Sequence, residues 1–391
     1  MFKAGSGAVV AILASLLCAG AALADGDEVK LGQTMPYSGP ASAFGIIGET
    51  YVAYFKMIND RGGINGHKIN LLSVDDGYSP AKTVEATRRL VEQDKVLAIF
   101  GSMGTAPNSA IQPYLNQQKV PQIIGTGASR FATPDKYPWT ISIYPSYELE
   151  GVTLAKYALS QKPDPKIAIL YQNDDSGRDF VKGFKKGLGD KVGAILAESG
   201  YDVSEPTIDS QVQQLKASGA DTLFLAPIPK FAAQAIREAA RLEWKPLILM
   251  TSPGSSIESA LTPGGLQNSI GIVSTAVVKT STSPRWANDD DVIKFKKFVA
   301  DYMPNGKPWD FNITYGYVEA SIMAEILANA GAEITRETLR QAMTNMKPAT
   351  APMLLPGVEV STHPDNYSAF NIVRLQKFDG QQWRVLDEIL H

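Results

Sequence analysis

Val29-Lys-Leu-Gly-Gln-Thr-Met35, a stretch from Phe44 to Asp60, Gly62-Gly-Ile-Asn-Gly66 and Ile69-Asn-Leu-Leu-Ser-Val74 follow one another near the start of the chain, and their order decides the fold. The first and last are aliphatic runs of strand length, while the second carries apolar residues at three- and four-residue spacing, so the order is strand, helix, strand. The glycine-rich piece tolerates positive φ and swings the chain from the helix end into the second strand, a purely structural role. A strand–helix–strand unit of this kind predicts a parallel sheet.

The alternation continues outward. Strands are expected at 97–101, 122–125 and 141–144, with helices at 80–92 and 107–117 between them. A second series has strands at 166–171, 194–199, 222–226, 247–250 and 271–276 and helices near 177–188, 207–217 and 230–241. Two βα series of similar length predict an α/β protein of two similar, Rossmann-like lobes with parallel-sheet cores. The remainder breaks the pattern: 291–302, 316–330 and 336–345 read as consecutive helices, and 370–377 with 382–388 as a hairpin turned by Asp379-Gly380. Residues 346–364, with Pro348, Pro352, Pro356 and Pro364, have no period and read as an extended crossover between lobes. The late elements must pack back onto earlier ones, which makes the lobes discontinuous in sequence.

Composition sets bounds on chemistry. The 391 residues carry 37 Lys+Arg against 40 Asp+Glu, a net charge of −3, with 44% hydrophobic and 20% charged residues. That is the balance of a globular protein of about two domains, and it lacks the basic excess that nucleic-acid binding requires. One cysteine, Cys18, and three histidines, His67, His363 and His391, leave little for thiol chemistry or His/Cys metal cages. No serine stands in a G-x-S-x-G elbow, no phosphate loop is present, and Gly125-Thr-Gly127 lacks the third glycine of a dinucleotide fingerprint, since position 130 is Arg.

At the N-terminus, Lys3 precedes an uncharged stretch to Ala24 that ends Ala22-Leu-Ala24 before the acidic Asp25-Gly-Asp-Glu28. This is the pattern of a secretory signal cleaved after Ala24. An uncleaved anchor is the alternative, since the stretch could just span a bilayer, and a lipoprotein signal at Cys18 is disfavoured by Leu17 before it. Cleavage removes the only cysteine, which suits an oxidising compartment.

Ligand chemistry belongs at the C-terminal ends of parallel strands. Gly101-Ser-Met-Gly-Thr-Ala-Pro107 runs from a strand into a helix, with Thr105 as a candidate N-cap and free backbone N–H groups that suit a carboxylate. Gly125-Thr-Gly-Ala-Ser-Arg130 repeats the design one strand later. Helix capping alone and anion binding both account for these loops. Asp75-Asp76 and Asp174-Asp175 follow strands as well, and turn formation or capping is the simpler account of both pairs.

These residues resemble the periplasmic solute-binding proteins of ABC importers, in the leucine/isoleucine/valine-binding branch. The matching pieces are Gly32-Gln-Thr-Met-Pro-Tyr-Ser-Gly-Pro40 with Phe44-Gly45, Phe55-Lys-Met-Ile-Asn-Asp60 with the glycine-rich turn, Asp75-Asp76 with Pro80, Ile167-Ala-Ile-Leu-Tyr-Gln-Asn-Asp-Asp175 with Gly177, and Lys230-Phe-Ala-Ala-Gln-Ala-Ile236. The resemblance implies a type I periplasmic binding fold with three interlobe crossings and a ligand clamped in the cleft. It also implies that Phe44 supplies an aromatic wall and that Ser102, Met103, Gly104 and Thr105, with Gly127, Ala128 and Ser129, hold a carboxylate. Asp175, Ser176, Ile228, Pro253 and Phe311 complete the expected site, with Tyr144 and Tyr147 near the first crossing. Where the family places an acid for an ammonium group, this chain has Thr251-Ser-Pro-Gly254, with Asp175 or Glu148 as possible substitutes.

The expected organisation is a signal at 1–24, one lobe from 25–144 plus 277–356, and the other from 145–276 plus 357–391. The expected function is a periplasmic, non-catalytic, monomeric receptor that needs no cofactor or metal. It delivers a small carboxylate, preferably an apolar or aromatic organic acid rather than an amino acid, to an inner-membrane ABC permease. A secreted α/β enzyme using Asp174 or Asp175 and a ligand-sensing domain of a signalling receptor are the competing accounts.

Overall fold

The computed structural model describes residues 28–386. The expected cleavage site after Ala24 lies outside the described residues, as does the end of the expected hairpin. Within them the chain builds two sheets. The first holds β1 (Val29–Met35), β2 (Ile69–Asp75), β3 (Ala98–Phe100), β4 (Gln122–Ile124) and β5 (Thr140–Ser142), all parallel, in the order β2-β1-β3-β4-β5. The second holds β6 (Ile167–Gln172), β7 (Ile195–Tyr201), β8 (Thr222–Ala226), β9 (Leu247–Met250), β10 (Val273–Ala276), β11 (Arg374–Phe378) and β12 (Trp383–Val385). Its order is β12-β11-β10-β9-β8-β6-β7. Its first five strands repeat the order of the other sheet, and β11 and β12 extend the edge as an antiparallel hairpin. Each sheet therefore has a switch point, between β1 and β3 in one and between β6 and β8 in the other, where loops diverge and leave a crevice.

The helices are α1 (Gly45–Asp60), α2 (Pro80–Glu92), α3 (Thr105–Gln117), α4 (Tyr147–Gln161), α5 (Asp175–Leu188), α6 (Asp209–Ala217), α7 (Pro229–Arg241), the single turn α8 (Thr262–Gly264), α9 (Asp290–Tyr302), α10 (Phe311–Asn329) and α11 (Arg336–Thr344). Strand interiors such as Leu31, Ile99, Ile124, Ile169 and Leu225 are fully buried, as parallel sheets covered on both faces require. α10 returns to the first lobe and lies against α1, where Gly316 brings the backbones so close that a Cβ would meet Thr50 Cβ at 2.8 Å. α10 is buried on nearly every face, so it is a core helix with no solvent stripe.

One difference from expectation has a clear cause. α4 was not expected as a helix: its buried stripe, Tyr147, Glu150, Gly151, Leu154, Ala155, Tyr157 and Ala158, keeps helical spacing but includes a glutamate and a glycine. Gly151 is there for contact, since a Cβ would fall 2.4 Å from Phe180 O on α5. The first sheet also takes a partner from beyond residue 356. Ser142 N donates to Tyr367 O (3.0 Å) and Ala369 N donates to Ser142 O (3.0 Å), so residues 367–369 still extend the first sheet beside β5. Arg374 then opens β11 of the second sheet.

Candidate functional site

The loops after β1 and β3 face those after β6 and β8 across the interlobe cleft, and between them is a cavity. From the first lobe it is lined by Phe44, Ile47, Tyr78, Met103, Gly104, Thr105, Gly125 and Thr126, and by Phe311, Asn312, Tyr315 and Glu319 of α10. The second lobe contributes Gln172, Ser176, Phe180, Ala226, Pro227, Ile228 and Pro253, with Tyr144 and Tyr147 at the first crossing. Water centres have about 50 Å³ inside it, several times the ~10–15 Å³ that a single water needs. That suits a compact ligand held between closed lobes.

A third of the wall residues are aromatic. Tyr144 packs on Tyr315 with ring centroids 5.2 Å apart, Tyr147 stacks on Phe180 at 4.1 Å, and Phe311 lies 4.4 Å from Tyr315. Polar groups are few and specific. α3 begins at the cavity wall with no side-chain cap, whereas α5 is closed by Asp174, which accepts from Ser176 N and Gly177 N, and α10 by Asp310, which accepts from Asn312 N. The open backbone donors and dipole of α3 favour an anion. Its N-cap is Gly104 rather than the expected Thr105, because the backbone there has φ 97° and a Cβ would meet the Tyr78 ring at 2.4 Å. Thr105 Oγ1 stands near the Tyr147 phenol without a well-aligned hydrogen bond. Thr126 Oγ1 and Gln172 Oε1, also on the wall, have no hydrogen-bond partner among the described residues. Buried polar atoms of this kind are ordinarily satisfied, so they point to a polar ligand.

The structure brings Phe44, Met103, Gly104, Thr105, Tyr144, Tyr147, Ser176, Ile228, Pro253 and Phe311 together on the cavity wall. Five expected residues lie elsewhere. Ser102 Oγ accepts from Thr34 N (2.9 Å), which fixes the loop after β3. Gly127 and Ala128 are packed behind the wall. Ser129 is committed to the other lobe: its N and Oγ donate to Asp179 Oδ2 (2.7 Å) and Oδ1 (3.1 Å). Asp175 pairs with Arg130 across the cleft (3.2 Å) and with Arg178 (3.0 Å), and the Arg178 hydrogen bond is the main cause of its lowered carboxyl pKa. Glu148 is taken by Lys182 (2.6 Å). Neither acid expected to substitute at the ammonium site is therefore on the wall.

Sequence reading missed Glu319. It is fully buried, lines the cavity and accepts a hydrogen bond from Tyr51 of α1. Burial pushes its carboxyl up to about 8, against the lowering effect of the Tyr51 bond. Its signal was a lone acid in the apolar run Tyr317-Val-Glu-Ala-Ser-Ile-Met323.

The Ser129–Asp179 and Arg130–Asp175 contacts hold one edge of the cleft, and Trp309 Nε1 donating to Glu258 Oε1 (2.6 Å) holds another. The exposed ion pairs carry little weight, but Asp179 is half-buried and takes two donors. Asp179→Ala should therefore shift the lobes toward the open state and weaken ligand binding roughly tenfold. Calorimetry with small-angle scattering checks this: an unchanged Kd with an unchanged radius of gyration would refute it.

A two-lobed α/β chain with a ligand-sized cavity at facing switch points is a cleft-binding protein. The periplasmic binding protein family model matches residues 28–381, and the chain belongs to that family. An amino acid binding protein of Pseudomonas aeruginosa is 26% identical over 323 residues, covering 78% of this chain and 79% of that one. Among solved structures, a branched-chain amino acid ABC transporter protein from Thermus thermophilus with bound valine has TM-score 0.84 at 20% identity, covering 93% of this chain and 96% of that one. An ABC transporter solute-binding protein from R. palustris in complex with 4-hydroxybenzoate has TM-score 0.76 at 20% identity, with the same coverages of 93% and 96%. These are binding proteins rather than enzymes, and Asp174 and Asp175 act here as a helix cap and an ion-pair partner.

Proposed function

We propose that this protein is the periplasmic receptor of an ABC importer and that it captures a compact carboxylate with an apolar or aromatic body and no free amine. The observation that carries this is the make-up of the cavity wall. The uncapped start of α3 and the nearby hydroxyls suit a carboxylate, while Phe44, Phe180, Phe311, Tyr144 and Tyr315 suit an apolar or aromatic body. The loop at Thr251–Gly254 brings Pro253 to the wall and no acid, and Ser252 is already bonded to Glu150 and Tyr144. An ammonium there would be buried without a counter-charge, at a cost of several kcal/mol. Ligand capture closes the lobes because both contact the ligand only when shut, and the closed form is what a permease recognises. The family and the sequence pattern up to Ala24 support export to the periplasm.

The amino-acid alternative has one specific observation in its favour, the Glu319 carboxyl on the wall, which would serve an ammonium if it ionised. Calorimetry with matched pairs separates the two. 4-Methylpentanoate should bind more tightly than leucine, and 3-phenylpropanoate more tightly than phenylalanine. Tighter binding of both amino acids would overturn the proposal in favour of an amino-acid receptor.

A further inference from the structure

Glu319 enters the cavity from the middle of α10, at a point separate from the α3 N-terminus. Its Oε2 accepts from the Tyr51 hydroxyl, while Oε1 has no hydrogen-bond partner among the described residues. The end of β4 presses against it, since a Cβ on Gly125 would lie 2.8 Å from each carboxyl oxygen, so the group cannot swing away on that side. The titratable groups around it are Tyr51 on α1 and Tyr315 one turn earlier on its own helix, with Tyr144 packed on Tyr315. Gly125 and Thr126 at the β4 end are uncharged, and among the described residues no lysine, arginine or histidine lines the cavity. Nothing nearby stabilises a glutamate anion except the Tyr51 hydroxyl.

Building on the proposed amine-free ligand, we infer that Glu319 is the specificity-determining residue of this cavity: Oε1 carries the proton and donates it in a hydrogen bond to a neutral oxygen of the ligand. The ligand class narrows accordingly to carboxylates that also bear a hydroxyl, ether or keto oxygen on the apolar body. Tyr51, itself buried and bonded only to this carboxyl, is a positioning residue that fixes the carboxyl plane. Holding a carboxylic acid neutral near pH 7 requires the strong desolvation seen at this site, which raises its pKa to about 8. The donor is then lost as the pH rises through that value.

The first part of the test needs no ligand. Infrared difference spectra between the wild type and Glu319→Gln should show a protonated carboxyl at pH 7 that disappears by about pH 9.5. Its absence at pH 7 would overturn the inference, whatever the protein binds. The second part compares 3-phenylpropanoate with 3-(4-methoxyphenyl)propanoate, whose ether oxygen can only accept, by calorimetry. The oxygen-bearing acid should bind roughly three- to tenfold more tightly, as one added neutral hydrogen bond allows. That preference should survive in Glu319→Gln, which keeps an N–H donor, and vanish in Glu319→Met. It should fade above pH 8 in the wild type but not in Glu319→Gln. A preference that persists in Glu319→Met overturns the inference. If leucine and phenylalanine bind more tightly than their amine-free partners and Glu319→Gln abolishes that binding, Glu319 is an ammonium acceptor instead, and both proposals fall together. A protonated carboxyl with no preference between the two phenyl acids overturns the donor role alone and leaves the amine-free reading standing.

Discussion

Glu150→Ala should destabilise the protein by about 3–6 kcal/mol, because one buried carboxylate satisfies three donors from two distant elements. Glu150 sits on the first turns of α4, fully buried, and accepts from Ser252 N (2.9 Å), Ser252 Oγ (2.8 Å) and Thr275 Oγ1 of β10. Ser252 in turn meets the Tyr144 hydroxyl at 2.8 Å, so the same knot holds the first crossing and a wall of the cavity. Truncation strands the three donors, each costing about 1–3 kcal/mol, and the loss is partly offset because the carboxyl no longer has to be desolvated. Glu150→Gln should fall in between, since its amide oxygen accepts from Ser252 N and Thr275 Oγ1 as before while its N–H₂ requires the Ser252 hydroxyl to turn from donor to acceptor. Urea unfolding at fixed pH measures both, and a loss below about 1 kcal/mol for Glu150→Ala would refute the role.

The pH dependence gives that prediction a sign. Burial raises the Glu150 carboxyl from its ordinary 4.5 to about 7, partly opposed by the bonds from Thr275 and Ser252. The folded state thus keeps its proton to higher pH than the unfolded chain. The contribution of this group is fully present below pH 4.5 and is lost as the pH rises through about 7. The stability gap between wild type and Glu150→Ala should therefore be wider at pH 5 than at pH 8. A gap that widens toward alkaline pH would contradict the raised value.

The two-lobed fold was legible because parallel strands buried on both faces read as aliphatic runs: β1, β8 and β9 have the expected bounds, and the other parallel strands shift by one or two residues, whereas in the antiparallel hairpin β11 starts four residues later and β12 ends three residues earlier than expected. α4 was not, for the reason Glu150 illustrates. A buried glutamate breaks the apolar stripe, and the partners that make it tolerable lie 102 and 125 residues away in the chain. The cavity wall was legible wherever a loop follows a strand at a switch point, as with Phe44, Gly104, Thr105 and Ile228. Ser129 has the same local pattern and went to Asp179, 50 residues distant, because closure of the lobes decides that contact and no local spacing records it. Glu319 escaped since a helix apolar all round reads as core, and only the tertiary contact with α1 and β4 turns one of its faces toward a ligand.

Gly127 shows how a residue expected at the ligand can matter through space alone. It follows β4, its carbonyl accepts from Tyr147 N (3.0 Å), and a Cβ there would stand 1.8 Å from Pro145 O and 2.9 Å from Tyr147 Cδ1. The obstacle is the backbone of the first crossing, which has no flexible end to move aside. Gly127→Ala should therefore cost on the order of 3–5 kcal/mol, at the upper end of single substitutions, by forcing the crossing away from the first lobe. Tyr144 and Tyr147 flank Pro145 and line the cavity, so ligand affinity should fall at least tenfold in whatever protein remains folded. Gly66→Ala is the matched control. Its backbone has φ 86° with nothing within 4 Å of a Cβ, so it meets only the left-handed backbone penalty, about 1–2 kcal/mol. Thermal and urea unfolding of the two variants, with calorimetry on the folded fraction, separates crowding at the crossing from backbone strain. If Gly127→Ala were no less stable than Gly66→Ala and bound ligand normally, the loop after β4 would have to yield freely, and the first crossing could not be the rigid wall on which the aromatic cavity is built.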